Sequence, residues 1–171
     1  MKISEIFQLN KSQYELDFVD IEIEKDLPLF LDPYFISKCE FSFAIDAHRT
    51  IESFFSYLLR MLRAGRIETA QELFSHLGET NEICLGLSRN KPAGNGMGPT
   101  DADKILKSLL GSKALETGIM EDIEDFRIFV PNVDKDKISD MTANIIKKHL
   151  IEYTQAQCKN WGIPLVSSVP I

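Results

Sequence analysis

From Ala47 onward, apolar residues recur at Ala47, Ile51, Phe54, Phe55, Leu58 and Leu62, spaced by threes and fours, and Gly65 follows them. This spacing predicts an amphipathic helix that stops at the glycine, since a residue without Cβ turns easily into the left-handed geometry of a helix end. Ile67, Ala70, Leu73, Phe74 and Leu77 repeat the spacing before Gly78. A second helix is therefore expected across a very short connection, as a helical hairpin or a sharply kinked helix. Thr100 to Leu110 reads as a third, with Thr100 as N-cap, Ile105, Leu106, Leu109 and Leu110 as its apolar positions, and Gly111 at its end. The longest helix is expected over Asp134 to Asn160, with Ile138, Met141, Ile145, His149, Tyr153 and Ala156 on one stripe and Gly162 and Pro164 beyond it.

Other stretches carry a period of two. Between Tyr14 and Glu24, Leu16, Phe18, Asp20 and Glu22 fall on one parity and Val19, Ile21 and Ile23 on the other, which predicts a half-buried strand. Leu27 to Leu31 reads as a second strand or extended segment, ended by the turn at Asp32-Pro33. Glu82 to Leu87 fits a buried strand or one turn of buried helix, and Arg127 to Val130 a short strand stopped by Pro131. The acid-rich stretch Ile119 to Asp125 reads as an exposed helical turn. The expected class is α+β, predominantly helical with a small sheet of short strands, in a single domain over residues 1–171. The apolar tail VSSVPI has no closing element, which suggests the N-terminal part of a larger protein.

The formal net charge of −7 disfavours a nucleic-acid backbone as the default partner. Cys39, Cys84 and Cys158 are odd in number and in no metal-ligand spacing, so a reducing, cytoplasmic setting fits best. No signal-peptide core and no membrane-spanning apolar run is visible.

Three groups of residues could carry chemistry. The stretch from Ser88 to Pro99 holds Arg89, Lys91, Gly94, Gly96 and Gly98, and closely spaced glycines ahead of a helix let backbone amides approach an anion. It lacks the P-loop and dinucleotide patterns, and Asp101 and Asp103 would repel phosphate, so a plain surface loop competes with anion binding. Asp136, Asp140 and Asn144, with Lys148 beyond, follow one another at four-residue steps and could offer two carboxylates and an amide to a hard divalent cation. The competing reading is helix capping and a solvated face. Asp20, Glu22, Asp26 and Asp32 could add a nuclease-like acidic group, or simply line the wet side of an edge strand and a turn. His149 lies on an apolar stripe, and His48 and His76 stand alone in the sequence, outside any zinc-hydrolase motif.

The segment DKISDMTANII (136–146), followed by LIEYTQ (150–155), resembles a segment of an uncharacterised group of bacterial proteins, some of them larger. The segments LFLDP (29–33) and LSRNKP (87–92) are similar to the same group. The resemblance covers most of the chain and implies a bacterial origin and a further C-terminal region, but carries over no activity and no catalytic residue. The leading expectation is a non-catalytic interaction or regulatory domain of a bacterial cytosolic protein, with a protein partner or self-association and no cofactor. The alternative is a nuclease-like domain using Mg²⁺ and nucleic acid, with Asp140, Asn144 and Asp32 as its catalytic residues. A third option is small-anion or nucleotide binding by the glycine-rich loop without chemistry.

Overall fold

A computed structural model describes residues 1–25, 27, 29–78 and 99–167. The regular elements among them are helical: α1 (Ile3–Ile6), a 3-10 turn (Gln13–Glu15), α2 (Pro33–Lys38), α3 (Ser42–Arg63), α4 (Ile67–Ser75), α5 (Pro99–Leu110), α6 (Lys113–Thr117), α7 (Ile123–Phe129), α8 (Lys135–Ile145) and α9 (Lys147–Trp161). They fall into two compact units, a larger one of 30–78 with 99–149 and a smaller one of 1–29 with 150–167.

The larger unit is built around α3, whose apolar stripe buries Ala47, Ile51, Phe55, Leu58, Leu59 and Leu62. Gly65 then adopts φ +71°, a left-handed conformation that lets α4 fold back against α3 as a hairpin. α5 packs on α4, while α6, α7 and α8 pack on α3. At the centre, Phe126 of α7 meets Phe55 edge-on at 5.0 Å and stacks on Phe74 of α4 at 6.1 Å. All three rings are buried, each contributing on the order of 1.5–3 kcal/mol through removal from water. Arg63, near the end of α3, donates from Nε to the Leu115 carbonyl at 3.2 Å and from Nη2 to the Met120 carbonyl at 2.6 Å. These bonds fasten the chain on either side of Gly118 to the end of the central helix.

The smaller unit is organised differently. Asp20 is buried, and its carboxylate accepts from the Ser4 amide at 2.9 Å and the Ser4 hydroxyl at 2.7 Å. Gln13 accepts from the Asp20 amide at 2.7 Å and donates to the Phe18 carbonyl at 2.8 Å, so its amide staples the loop closed. The Tyr153 hydroxyl of α9 donates to the Asp17 carbonyl.

The expected small sheet is not formed: no strand occurs among the described residues, and the fold is helical rather than α+β. The stretch from Tyr14 to Glu24 forms the 3-10 turn and a run of bends, with a single isolated bridge between Lys2 and Glu22. Two bonds, from the Ile3 amide to the Ile21 carbonyl and from the Ile23 amide to the Met1 carbonyl, are too few to lay down a ladder. Nor does the alternation sort by burial, for Asp20 is buried while Val19 is exposed. Leu27 to Leu31 also forms no strand where it is described; the Leu31 amide bonds the Ser139 hydroxyl of α8 at 2.9 Å. Asp32-Pro33 starts a helix instead of only ending a strand, because Asp32 accepts from the Tyr34 and Phe35 amides and proline suits a first helical position. Arg127 to Val130 lies largely within α7, where Ile123, Phe126 and Val130 are buried at helical spacing. The long helix is interrupted at Ile146, between α8 and α9. α5 begins at Pro99, so Thr100 is its second residue and not its cap. The segment Glu82 to Leu87 lies outside the described residues.

Candidate functional site

The sequence-expected residues are placed as follows. Asp32, the N-cap of α2, accepts from the Tyr34 amide at 3.0 Å and the Phe35 amide at 3.4 Å. Asn144 of α8 donates from Nδ2 to the Gly78 carbonyl, and to the Asp140 carbonyl at 3.3 Å. Its amide therefore ties α8 to the end of the α4 segment. Asp136 is exposed in the first turn of α8, and Asp140 is half-buried on the same helix. Asp20 belongs to the smaller unit, where it holds Ser4, and Glu22 pairs with Lys25 at 2.8 Å. No group of three or more His, Cys, Asp or Glu able to hold a metal ion occurs among the described residues. Asp26, Arg89, Lys91, Gly94, Gly96 and Gly98 lie outside those residues, and so does any anion contact they make.

His149 meets Thr50 of α3, with Nε2 and Oγ1 2.9 Å apart. Thr50 Oγ1 donates its one proton to the Asp46 carbonyl at 2.9 Å, so in this arrangement Nε2 carries the hydrogen and His149 donates. The Phe43 ring stands edge-on to the imidazole at 6.3 Å. His149 thus joins the first turn of α9 to α3 as a hydrogen-bonded boundary residue. His48 reaches Glu52 at 3.5 Å on the surface of α3, and His76 caps the end of α4.

Two features escaped the sequence. First, Tyr34, Phe35 and Phe41 are exposed within one short stretch, to 59%, 68% and 77%. Phe41 occupies the N-cap of the long α3, a position where a side-chain oxygen normally accepts from the first free amides; a phenyl ring cannot do so. The stretch was legible as apolar, but its exposure was not. Lys38 sits 5.0 Å from the Tyr34 ring centroid and Lys135 lies 4.3 Å from that of Phe30, so aromatic faces here already carry cations.

Second, Glu124 in the first turn of α7 is half-buried, and its carboxyl is pushed up to about 7. Burial is the largest cause; the negative charge and hydrogen bond of Asp122 add to it, as does the charge of Asp32, against a lowering bond from its own backbone. The charge of Asp32 on α2 thus acts on Glu124 of α7, in a stretch that the sequence presented as a separate exposed turn.

A family model described as Domain of unknown function (DUF8370) matches residues 8–171. No curated protein and no solved structure matches the chain. No helix among the described residues is long and apolar enough to cross a membrane.

Proposed function

We propose that this chain, which belongs to the DUF8370 family, is a non-catalytic interaction or regulatory domain of a bacterial cytosolic protein, acting through a protein partner or through self-association. The observation that carries the reading is the exposed aromatic stretch Tyr34, Phe35 and Phe41. Single exposed apolar residues are ordinary on a protein surface, whereas large ones gathered on neighbouring turns characterise contact surfaces. Phe41 strengthens the case, because local helix chemistry would favour a small polar residue at its position and its ring is left exposed to 77%. Of the residues weighed for catalysis, Asp32 caps α2 and Asn144 bonds the Gly78 carbonyl, and the buried Asp20 of the acidic group holds Ser4.

The test is photo-crosslinking in cells with p-benzoylphenylalanine placed either at Phe35 or, as a control, at the exposed Glu52 of α3. Discrete adducts from position 35 only are expected, with the partner identified by mass spectrometry as another protein or a second copy. Absence of adducts from position 35, together with a strictly monomeric protein by sedimentation, would overturn the reading.

A further inference from the structure

We infer that the C-terminal end of α3, at Tyr57, Arg60, Arg63 and Arg66, is a further interaction surface, and that it receives an acidic segment of a protein partner whose carboxylates meet the guanidinium groups. This goes beyond the reading above, which rests on the aromatic residues before α3. Phe41 and Arg63 stand at opposite ends of that helix, which has 22 residues and is about 33 Å long.

α3 carries no acid after Glu52, and the next acid in the chain is Glu68. Between them the exposed positions Ser53, Ser56, Tyr57, Arg60 and Arg63 recur at spacings of three and four, which aligns them along one face of a continuous helix. Every charge on that stretch is positive. Printed contacts hold the cations together at its end. The Arg60 guanidinium lies 5.2 Å from the centroid of the Tyr57 ring, and Arg63, one turn on, reaches the Leu115 and Met120 carbonyls. The Arg66 amide donates to the Met61 carbonyl at 2.9 Å, which folds that residue back over the last turn.

Other cations of the chain meet an acid about one turn away: Lys11 with Glu15 and Lys25 with Glu22 at 2.8 Å, and Arg49 with Asp46 at 3.3 Å. Among the described residues no ion pair involves Arg60, Arg63 or Arg66, and at three-residue steps they have one another as neighbours. Local helix chemistry accounts for part of this, since the negative end of the α3 dipole favours Arg60 and Arg63 in the last turn. It does not account for Arg66. That residue is the N-cap of α4, where the dipole is positive and an oxygen-bearing side chain is preferred. Like charges one turn apart and a cation at a helix start both cost stability, and an anion from outside offsets both.

The size and chemistry of the surface select the occupant. Guanidinium groups grip carboxylates through paired N–H donors, and from Tyr57 to Arg63 the helix covers about 9 Å, room for a few of them. A nucleic acid would run past this stretch onto a chain whose net charge is −7. Arg60 also already occupies a face of the Tyr57 ring, where a base would stack. A short acidic segment of a protein is the occupant that these features favour.

The experiment titrates the full chain against a fluorescent glutamate-rich peptide, its glutamine counterpart of equal length, and a single-stranded oligonucleotide, and follows anisotropy. The glutamate peptide is expected to bind saturably and to weaken as salt is raised. Arg60→Gln with Arg66→Gln should weaken it about tenfold, a step of about 1.4 kcal/mol; Arg63 is left in place because it fastens the chain at Leu115 and Met120. Arg49→Gln removes a guanidinium of the same helix that is already paired with Asp46, and should leave binding unchanged. Circular dichroism checks that each variant stays folded. The inference is overturned if the glutamine peptide binds equally, if Arg49→Gln weakens binding as much as the Arg60 and Arg66 pair, or if neither peptide binds. An oligonucleotide that binds more tightly than the glutamate peptide through the same arginines would overturn the protein partner. So would self-association of the chain that the paired substitution abolishes, since the occupant is then a second copy.

Discussion

The larger unit keeps its shape by excluding water from apolar side chains, whereas the smaller keeps its shape by satisfying polar ones. Among the described residues, every buried apolar side chain but Leu16 belongs to the larger unit, while the other buried residues of the smaller unit are Ser4 and Asp20. In the part of the smaller unit before residue 30, short helices explain the contrast, while the longer α9 buries no residue completely. α1 and the 3-10 turn are too brief to present a stripe, so the chain around them is fixed by named hydrogen bonds. Apolar packing is non-directional and spread over many contacts, but a hydrogen-bonded loop depends on a few atoms. The two units should therefore respond to mutation in different ways.

The largest effect is expected at Phe126, which is fully buried between Phe55 and Phe74. Phe126→Ala removes a ring from the centre of the larger unit and should cost about 3–5 kcal/mol of unfolding free energy in denaturant melts. A cost below about 1 kcal/mol would mean that the rings do not form a packed core. Next in size is Asp20→Ala, which leaves the Ser4 amide and hydroxyl without their acceptor and should cost about 1–3 kcal/mol. Hydrogen exchange locates the damage: the Ser4 amide should lose protection while the amides of α3 keep theirs. Equal loss in both would erase the distinction between the units.

How legible each unit was in the sequence follows from the same contrast. α3 repeats its apolar spacing over several turns, so its periodicity could be read directly, and α4 followed for the same reason. α7 was misread because the window Arg127 to Val130 holds only one residue of its true stripe, Ile123, Phe126 and Val130, which starts among the acids. α2 was missed because Asp32-Pro33 serves equally as the end of an extended run and as an N-cap with proline at the first helical position. The interruption at Ile146 carries no glycine or proline, and nothing in the local sequence marks it. For the candidate site the limit was distance along the chain. The burial of Asp20 depends on Ser4, and the environment of Glu124 depends on Asp32, pairings that no local spacing reveals.

Arg63 sharpens the comparison, since it brings hydrogen bonding of the smaller unit's kind into the larger one. Its guanidinium is the donor to the Leu115 and Met120 carbonyls. Arg63→Met keeps much of the stem and removes the donors, and should cost about 1–2 kcal/mol. The exchange of amides in 113–120 should quicken before the core opens. If thermal melts show no change, water replaces the guanidinium without loss, and apolar packing alone sets the stability of the larger unit.

The smallest effect, and the one that depends on pH, belongs to Glu124. Its carboxyl titrates at about 7 in the fold, against an ordinary value of 4.5 in the unfolded chain. The folded form therefore holds the proton more tightly, so the stability this group contributes is fully present below pH 4.5 and is lost as the pH rises through about 7. Ionisation at higher pH leaves a charge beside Asp122 and Asp32, at a cost that water screens in part because Glu124 is only half-buried. Glu124→Gln keeps the shape and removes the titration. At pH 8 the variant should be more stable than the parent by about 1 kcal/mol, and at pH 4 the two should agree. Parallel stability curves for parent and variant from pH 4 to 8 would show that neither burial nor the charges of Asp122 and Asp32 hold the Glu124 proton more tightly in the fold than in the unfolded chain.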